Sequence, residues 1–305
     1  MIEIKPGNGF GPTDVWRNSN PFEEGETHSQ FDTFRTWREY FDYLLWESPN
    51  VFKDGADLGF QWLGAGVEAQ ELFFNPIHKE KDLPQGDGSF VGIVPGFLGD
   101  NFFYFLPKDN LRKLSWDANV YPVKYRRHIE PTERMIDPLV KYCKEKAEMS
   151  GRKINLIGHS KGGHVILAAA MLRTKELAES VDQLIPVDAP IPDKVNFQTG
   201  LGYLGVQAIF HGNDFRLTRL ADNDEALEGI ERNFRLTTIK VVNGRIINGL
   251  HVGSEENIFE INCSHPGALH ARETLRVAHT RLARPISSEQ KRQEKIVQFP
   301  AKRAA

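Results

Sequence analysis

The sequence INLIGHSKGG, residues 154–163, joins two apolar runs through a turn that contains several glycines. The apolar run before the turn predicts a buried strand, and the run after it predicts a helix. Gly158 and Gly162 lie two positions before and two positions after Ser160, where side chains would clash in a sharp turn between a strand and a helix. The pattern therefore predicts a serine whose hydroxyl projects from the edge of a sheet.

Short apolar runs and helical patterns alternate on both sides of this segment. Strands are predicted at Phe90–Val94, Val120–Val123, Ile154–Ile157, Leu184–Val187, Val206–Phe210 and Asn257–Ile261, and helices at Leu111–Trp116, Ile129–Met149, Lys161–Leu177 and Ala268–Leu282. Strands separated by long helices are typical of parallel crossovers. The sequence predicts an α/β fold with a mostly parallel central sheet covered by helices on both faces.

The pattern divides the chain into three parts. Residues 1–88 are rich in aromatic residues and form a predicted N-terminal helical extension or cap, with an amphipathic helix at 30–47 and a second helix at Leu58–Phe74. Residues 89–284 contain the alternating strands and helices. Residues 285–305 form a polar C-terminal tail.

One departure from the parallel pattern is expected late in the chain. Asn243-Gly244 lies between two β-rich runs, Leu236–Val242 and Arg245–Leu250. This dipeptide favours a two-residue turn between antiparallel strands. We expect a β-hairpin insertion at this point.

A serine hydroxyl needs a base to become a nucleophile at neutral pH, and a histidine after the serine is the natural candidate. His265 follows a predicted strand (NIFEINCSH) in a turn before a helix, which favours it as the base. His251, after the predicted hairpin, is the alternative. His270 and His279 fall in the predicted helix, where we expect them at the surface.

The acid that orients this imidazole should follow a strand between the serine and the histidine. Asp214 lies one short loop past the strand in AIFHGNDF, and the sequence favours it. Asp188, at the end of the preceding strand in LIPVDAP, is the alternative.

A developing oxyanion needs backbone N–H donors. One is expected from Lys161, the residue after the serine. The other is expected from Phe97 in the loop Pro95–Gly99, where glycines permit close backbone approach.

Four segments resemble the lipase/esterase branch of the α/β-hydrolase family. INLIGHSKGG is similar to the serine turn of bacterial triacylglycerol lipases, GIVPGFLGDNFF to their oxyanion loop, IFHGNDF to their acid-bearing strand end, and INCSHPGAL to their strand–histidine–helix end. The resemblance extends over residues 89–283. It implies an α/β-hydrolase fold and an esterase chemistry with Ser160 as nucleophile, His265 as base and Asp214 as acid.

The sequence departs from that family at the oxyanion loop. Pro95 stands where these enzymes usually carry a histidine that supports the loop. A lipase-type lid is not evident between the two candidate acid strands, so we expect the N-terminal helix at 30–47 or the predicted hairpin to supply any cap.

Composition excludes several other classes of protein. The net charge is −3 and the sequence pI is about 6.4, which gives no basic surface for nucleic acid. Two cysteines without a Cys-x-x-Cys pair favour a reducing compartment. No signal peptide or transmembrane run is visible, so we expect a cytoplasmic protein. No metal-ligand spacing is present, and we expect no cofactor.

These features predict a serine hydrolase that cleaves carboxylic esters through an acyl-enzyme on Ser160, with a small-molecule or lipid ester as substrate. Two alternatives remain. One is an acyltransferase, in which an alcohol other than water resolves the acyl-enzyme. The other is an α/β-hydrolase-fold binding module without catalysis.

Overall fold

The structure is a computed structural model that describes residues 48–96, 99, 101–122, 132–189, 224–242 and 253–283. The predicted helix at 30–47, the predicted strand Val206–Phe210 and the tail at 285–305 lie outside the described residues.

The chain divides into two compact units. One consists of Met1–Ala56 and Phe197–Gly205, and the other of Asp57–Asn196 and Val206–Ala305. Of the first unit, the structure describes residues 48–56, which are helical. The rest of this section concerns the second unit.

The second unit is built on a parallel sheet. Within the described residues this sheet has seven strands, which pair in the order β2-β1-β3-β4-β6-β7, with β5 beside β4. Every pairing is parallel. The strands are β1 (Phe90–Val94), β2 (Asp117–Val120), β3 (Ile154–His159), β4 (Val181–Val187), β5 (Arg235–Leu236), β6 (Thr238–Val241) and β7 (Ile258–Ile261).

Helices cover both faces of this sheet. In this unit they are residues 57–74 of α1 (Ser48–Phe74), α2 (Phe105–Lys113), α3 (Thr132–Ser150), α4 (Lys161–Leu172), α5 (Thr174–Ser180), α6 (Asp224–Asn233) and α7 (Arg272–Leu282). Residues of β1 alternate between two cores, because successive strand side chains point to opposite faces. Phe90 and Val94 pack with α3 and α4, whereas Val91 and Ile93 pack with α2 and α7. The predicted α/β fold is confirmed.

The helix predicted at Leu58–Phe74 is present as the greater part of α1. Its Leu72 is fully buried, and so is Ile77 in the short 3-10 turn that follows. Both belong to the core on one face of the sheet. Two residues of the segment predicted as an N-terminal extension or cap, Leu72 and Ile77, thus belong to the core of the second unit.

The region of the predicted hairpin differs from the expectation. Its first arm contains β6, and β6 is an interior strand that pairs in parallel with β4 on one edge and with β7 on the other. Over the described residues, both edges of β6 are thus occupied. Asn243-Gly244 and the second arm lie outside the described residues.

No helix among the described residues has the length and apolarity that crossing a membrane requires.

The packing of α4 against β1 depends on a glycine. A Cβ atom at Gly162 would overlap the carbonyl oxygen of Val94 and lie 2.7 Å from the carbonyl oxygen of Pro95. Both obstacles are backbone atoms, which cannot rotate away. Ala at this position would force α4 away from the sheet.

We expect Gly162→Ala to lower the free energy of unfolding by about 3 kcal/mol or more, because the added methyl meets backbone. Gly66→Ala is the matched control, since a Cβ at this exposed position in α1 has nothing within 4 Å. It should raise the free energy of unfolding by about 0.5–1 kcal/mol through helix propensity. Guanidinium denaturation measures both values. Equal midpoints for Gly162→Ala and the wild type would contradict the close approach.

Candidate active site

Ser160 occupies the turn between β3 and α4, as the sequence predicts. Its backbone lies at φ 53° and ψ −124°. Residues other than glycine rarely adopt this conformation, which costs on the order of 1–3 kcal/mol. A Cβ at Gly158 would lie 2.6 Å from the carbonyl oxygen of Gly162, so the turn closes only with glycine at this position. The turn presents the serine at the carboxyl edge of the sheet.

His265 reaches this serine from the turn between β7 and α7. Its Nε2 lies 2.9 Å from Ser160 Oγ, although the two residues are 105 positions apart. The strand placement from which the sequence favoured His265 is confirmed. His251, the alternative, lies outside the described residues.

The carboxylate beside this imidazole belongs to Asp188. Asp188 directly follows β4, is fully buried, and places Oδ2 2.5 Å from His265 Nδ1. Its Oδ1 accepts the backbone N–H of Val241 at 3.1 Å. Asp214, which the sequence favoured, lies outside the described residues. The structure thus brings together Ser160, His265 and the alternative acid.

The hydrogen bonds fix the tautomer of His265. A buried carboxylate accepts hydrogen bonds only, so Nδ1 carries the ring proton and donates it to Asp188. Nε2 is then the acceptor for the hydroxyl of Ser160. This is the arrangement in which an imidazole can take a proton from a serine.

A second, buried chain of hydrogen bonds links the first and last loops of the site. His159 Nε2 lies 2.8 Å from the carbonyl oxygen of His265, so it carries a proton and donates. His159 Nδ1 then accepts from the hydroxyl of Tyr104 at 2.7 Å. The oxygen of Tyr104 in turn accepts the backbone N–H of Gly96 at 3.0 Å. The Gly96 loop is therefore tied to the backbone of His265.

His159 stays neutral in this chain. Burial lowers its pKa to about 3, and the neighbouring His265 acts in the same direction. The two rings lie 5.4 Å apart between centroids. A neutral His159 adds no positive charge next to His265.

The structure describes one of the two predicted oxyanion donors, Lys161. Lys161 is the first residue of α4, so its backbone N–H lies at the positive end of the helix, next to Ser160. Phe97 lies outside the described residues. The preceding residue, Gly96, adjoins the serine, because a Cβ there would lie 2.9 Å from Ser160 Cβ.

The remaining candidate histidines are buried and hold structural contacts, contrary to the surface positions expected for them. His279 lies in α7, where it accepts the indole N–H of Trp116 at 2.9 Å and donates to the carbonyl oxygen of Pro84 at 2.7 Å. His270 Nε2 donates to the carbonyl oxygen of Phe103 at 2.8 Å. Burial lowers the pKa of both imidazoles.

Among the described residues, no group of three or more histidine, cysteine, aspartate or glutamate side chains is placed to hold a metal ion.

The sequence pattern missed the supporting residues. Tyr104 lies in a turn before α2, and nothing in its local pattern indicates a contact with His159, which is 55 positions away. Asp188 had a usable signal, because it directly follows the strand next to the serine strand. Parallel strands end at the same edge, so neighbouring strand ends lie close together.

Tyr104→Phe should lower the free energy of unfolding by about 1–3 kcal/mol, because it leaves the buried Gly96 N–H and His159 Nδ1 without their shared partner. Tyr142→Phe, in the core on the other face of the sheet, is the matched control and should cost about 0.5 kcal/mol or less. Thermal or urea unfolding compares the two. Equal stability losses would argue against the hydrogen-bond chain.

Comparison with known proteins gives structural matches only. No protein-family model and no curated protein matches the chain. The mature form of Bacillus licheniformis lipase BlEst2 matches with a TM-score of 0.50 and 14% identity, covering 67% of this chain and 96% of that chain. Its propeptide form matches with a TM-score of 0.52 and 16% identity over 67% of this chain and 52% of that chain, so this chain spans about half of that form.

A third match is the metagenomic carboxyl esterase MGS0156, with a TM-score of 0.46 and 11% identity over 72% of this chain and 80% of that chain. At such identities a likeness shows the fold and not the activity. Together with the parallel sheet and its two helical layers, the BlEst2 matches show that the chain has the α/β-hydrolase fold.

Proposed function

We propose that the protein is a serine hydrolase of carboxylic esters, with Ser160 as nucleophile, His265 as general base and Asp188 as the acid that orients the base. One observation carries this proposal: the unbroken hydrogen-bond sequence from Ser160 Oγ through both nitrogens of His265 to Asp188 Oδ2. The three side chains meet at the carboxyl edge of a parallel sheet, where ligands of α/β folds bind.

The first half of the reaction acylates the serine. Ser160 Oγ attacks the ester carbonyl carbon while His265 Nε2 takes the hydroxyl proton. The tetrahedral intermediate collapses when the C–O bond to the alcohol breaks and His265 returns its proton to the departing oxygen. The products are a free alcohol and an acyl-enzyme on Ser160.

The second half releases the acid. Water loses a proton to His265 Nε2 and attacks the acyl carbon, and Ser160 leaves with the proton that His265 gives back. The net reaction consumes one ester and one water and yields one carboxylic acid and one alcohol. An alcohol in place of water would make the same site an acyltransferase.

Two electrostatic features support this chemistry. The buried Asp188 carboxylate faces the imidazole that becomes positive in each half-reaction, and its burial strengthens their attraction. His159, beside His265, remains neutral because burial lowers its pKa to about 3. The imidazolium therefore forms without a second positive ring next to it.

The oxyanion of each intermediate lies beside the start of α4. The N–H of Lys161 is the donor that the helix start supports, and the positive end of the helix favours negative charge there. The backbone N–H of Phe97, in the loop Pro95–Gly99, stays the predicted second donor to the oxyanion.

A fluorophosphonate probe tests the nucleophile. The wild-type protein should be labelled and should hydrolyse p-nitrophenyl esters, whereas Ser160→Ala should lose labelling and at least about 10⁴-fold in kcat, because members of such a triad act as a unit. Ser150→Ala, at the exposed end of α3, is the control and should keep both. An unlabelled wild-type protein that hydrolyses no ester would indicate a binding module instead.

Two substitutions test which aspartate orients His265. Asp188→Asn should lower kcat by about 10⁴-fold, because the amide favours the wrong tautomer of His265. Asp214→Asn should leave kcat within about threefold of the wild-type value, since Nδ1 of His265 already has its partner. Steady-state kinetics on one p-nitrophenyl ester measures both. The opposite ranking would return the acid role to Asp214.

A further inference from the structure

One face of α1 packs against the turn that carries His265. Gly64, Ala65, Glu68 and Leu72 recur at helical spacing, and this face points into the molecule: Ala65 and Leu72 are buried. Glu68 lies at the centre of this face. Its partner is Ser264, the residue directly before His265.

The Glu68 carboxylate uses both oxygens on Ser264. Oε1 accepts the backbone N–H of Ser264 at 2.5 Å, and Oε2 accepts its hydroxyl at 2.5 Å. Ser264 Oγ then accepts the backbone N–H of Gly267 at 3.1 Å. The carboxylate and the hydroxyl together close the turn on both sides of His265, between residues 264 and 267.

Glycines on both surfaces make this contact possible. A Cβ at Gly64 would lie 2.9 Å from Ser264 Cβ. A Cβ at Gly267 would lie 2.7 Å from the Cα of Ala65 and would overlap Oε2 of Glu68. The helix and the turn therefore meet backbone to backbone, and Glu68 reaches Ser264 only because Gly267 has no side chain.

This contact has an electrostatic cost. Burial raises the pKa of Glu68, while the two hydrogen bonds from Ser264 oppose that shift and nearby Glu71 adds to it. An apolar side chain would dock a helix without this desolvation cost. A carboxylate makes the contact directional. Its charge-assisted hydrogen bonds to the backbone N–H and the hydroxyl of Ser264 fix the position of that residue.

His265 has a particular need for such support. Ser160 and Asp188 directly follow strands, whereas His265 lies in a turn beyond the end of β7. Its imidazole must meet Ser160 Oγ and Asp188 Oδ2 at once. A shift of about 1 Å in such a group is enough to cost about 10²-fold in rate.

We propose that Glu68 is a positioning residue: through Ser264 it anchors the His265 turn to α1, so that the imidazole reaches Ser160 and Asp188 together. This role rests on the proposed serine chemistry. It makes α1, which precedes the first strand of the sheet, a required part of the active site that acts on the imidazole through Ser264.

Kinetics of three variants tests the proposal. Glu68→Ala should lower kcat by about 10²-fold with KM changed by less than about threefold, because only the transition-state geometry is lost. Glu68→Gln keeps an acceptor for the Ser264 N–H and should recover most of that loss. Ser264→Ala should fall between them, and the Glu68→Ala/Ser264→Ala pair should be no worse than Glu68→Ala alone, because the two act as one unit.

Glu71→Ala is the matched control. It makes the same change in the same helix at an exposed position and should leave kcat at the wild-type value. A loss of kcat in Glu71→Ala equal to that in Glu68→Ala would overturn the proposal, because the effect would then be one of net charge or of the helix as a whole.

Hydrogen exchange on the full-length protein gives a readout that needs no activity. In Glu68→Ala the amides of residues 262–269 should exchange at least about tenfold faster, while those of β3 keep their wild-type rate. Faster exchange with wild-type kcat would show a purely structural contact and overturn the positioning role. If Glu68→Ala does not fold, Ser264→Ala is measured in its place: a loss of kcat together with faster exchange supports the proposal, and wild-type kcat overturns it.

The two proposals fail in different ways. If the wild-type protein neither reacts with fluorophosphonate nor hydrolyses esters, the proposed function is wrong, and the exchange result alone then shows whether Glu68 anchors the turn. If the wild-type protein is active and Glu68→Ala retains wild-type kcat, the positioning role is wrong and the serine chemistry stands.

Discussion

The close approach of α4 to the ends of β1 and β3 is the constraint on which the site depends. Gly158 and Gly162 leave no room for a side chain, so the chain must reverse from strand to helix within one residue, Ser160. That reversal places Ser160 in a strained conformation at the sheet edge and directs the start of α4 towards the same point. The neighbouring strands are parallel, so β4 delivers Asp188 to that edge as well.

The sequence predicted what is encoded locally. The glycines around Ser160, the apolar run of β3 and the position of His265 after β7 are features of short segments, and the structure contains each of them. The choice between Asp188 and Asp214 was different, because it depends on which strand ends beside β7 and β3 in space. Chain order makes the strand after β3 a candidate neighbour, which was the available signal for Asp188, but it does not show which strand end faces His265. The hydrogen bond from His265 to Asp188 spans 77 positions.

The supporting contacts were beyond the reach of sequence patterns for the same reason. Tyr104 supports the Gly96 loop through its hydroxyl, whereas Pro95 has neither a backbone N–H nor a polar side-chain group to donate. Glu68 contacts a residue 196 positions away. Locally, Tyr104 is a residue of the turn before α2 and Glu68 is a residue of α1. Their hydrogen bonds to other loops exist only in the folded chain.

These contacts converge on His265, the member of the proposed triad that does not directly follow a strand. A serine fixed by a turn and an aspartate fixed at a strand end have little freedom, so the geometry of the set is decided by the histidine. Two part-buried hydrogen bonds restrict it: His159 donates to the carbonyl oxygen of His265, and Glu68 accepts from the backbone N–H of the preceding residue, Ser264. His159 is neutral and Glu68 bonds to backbone and hydroxyl rather than to the ring. Both therefore fix the position of the imidazole through the main chain and leave its two nitrogens to Ser160 and Asp188.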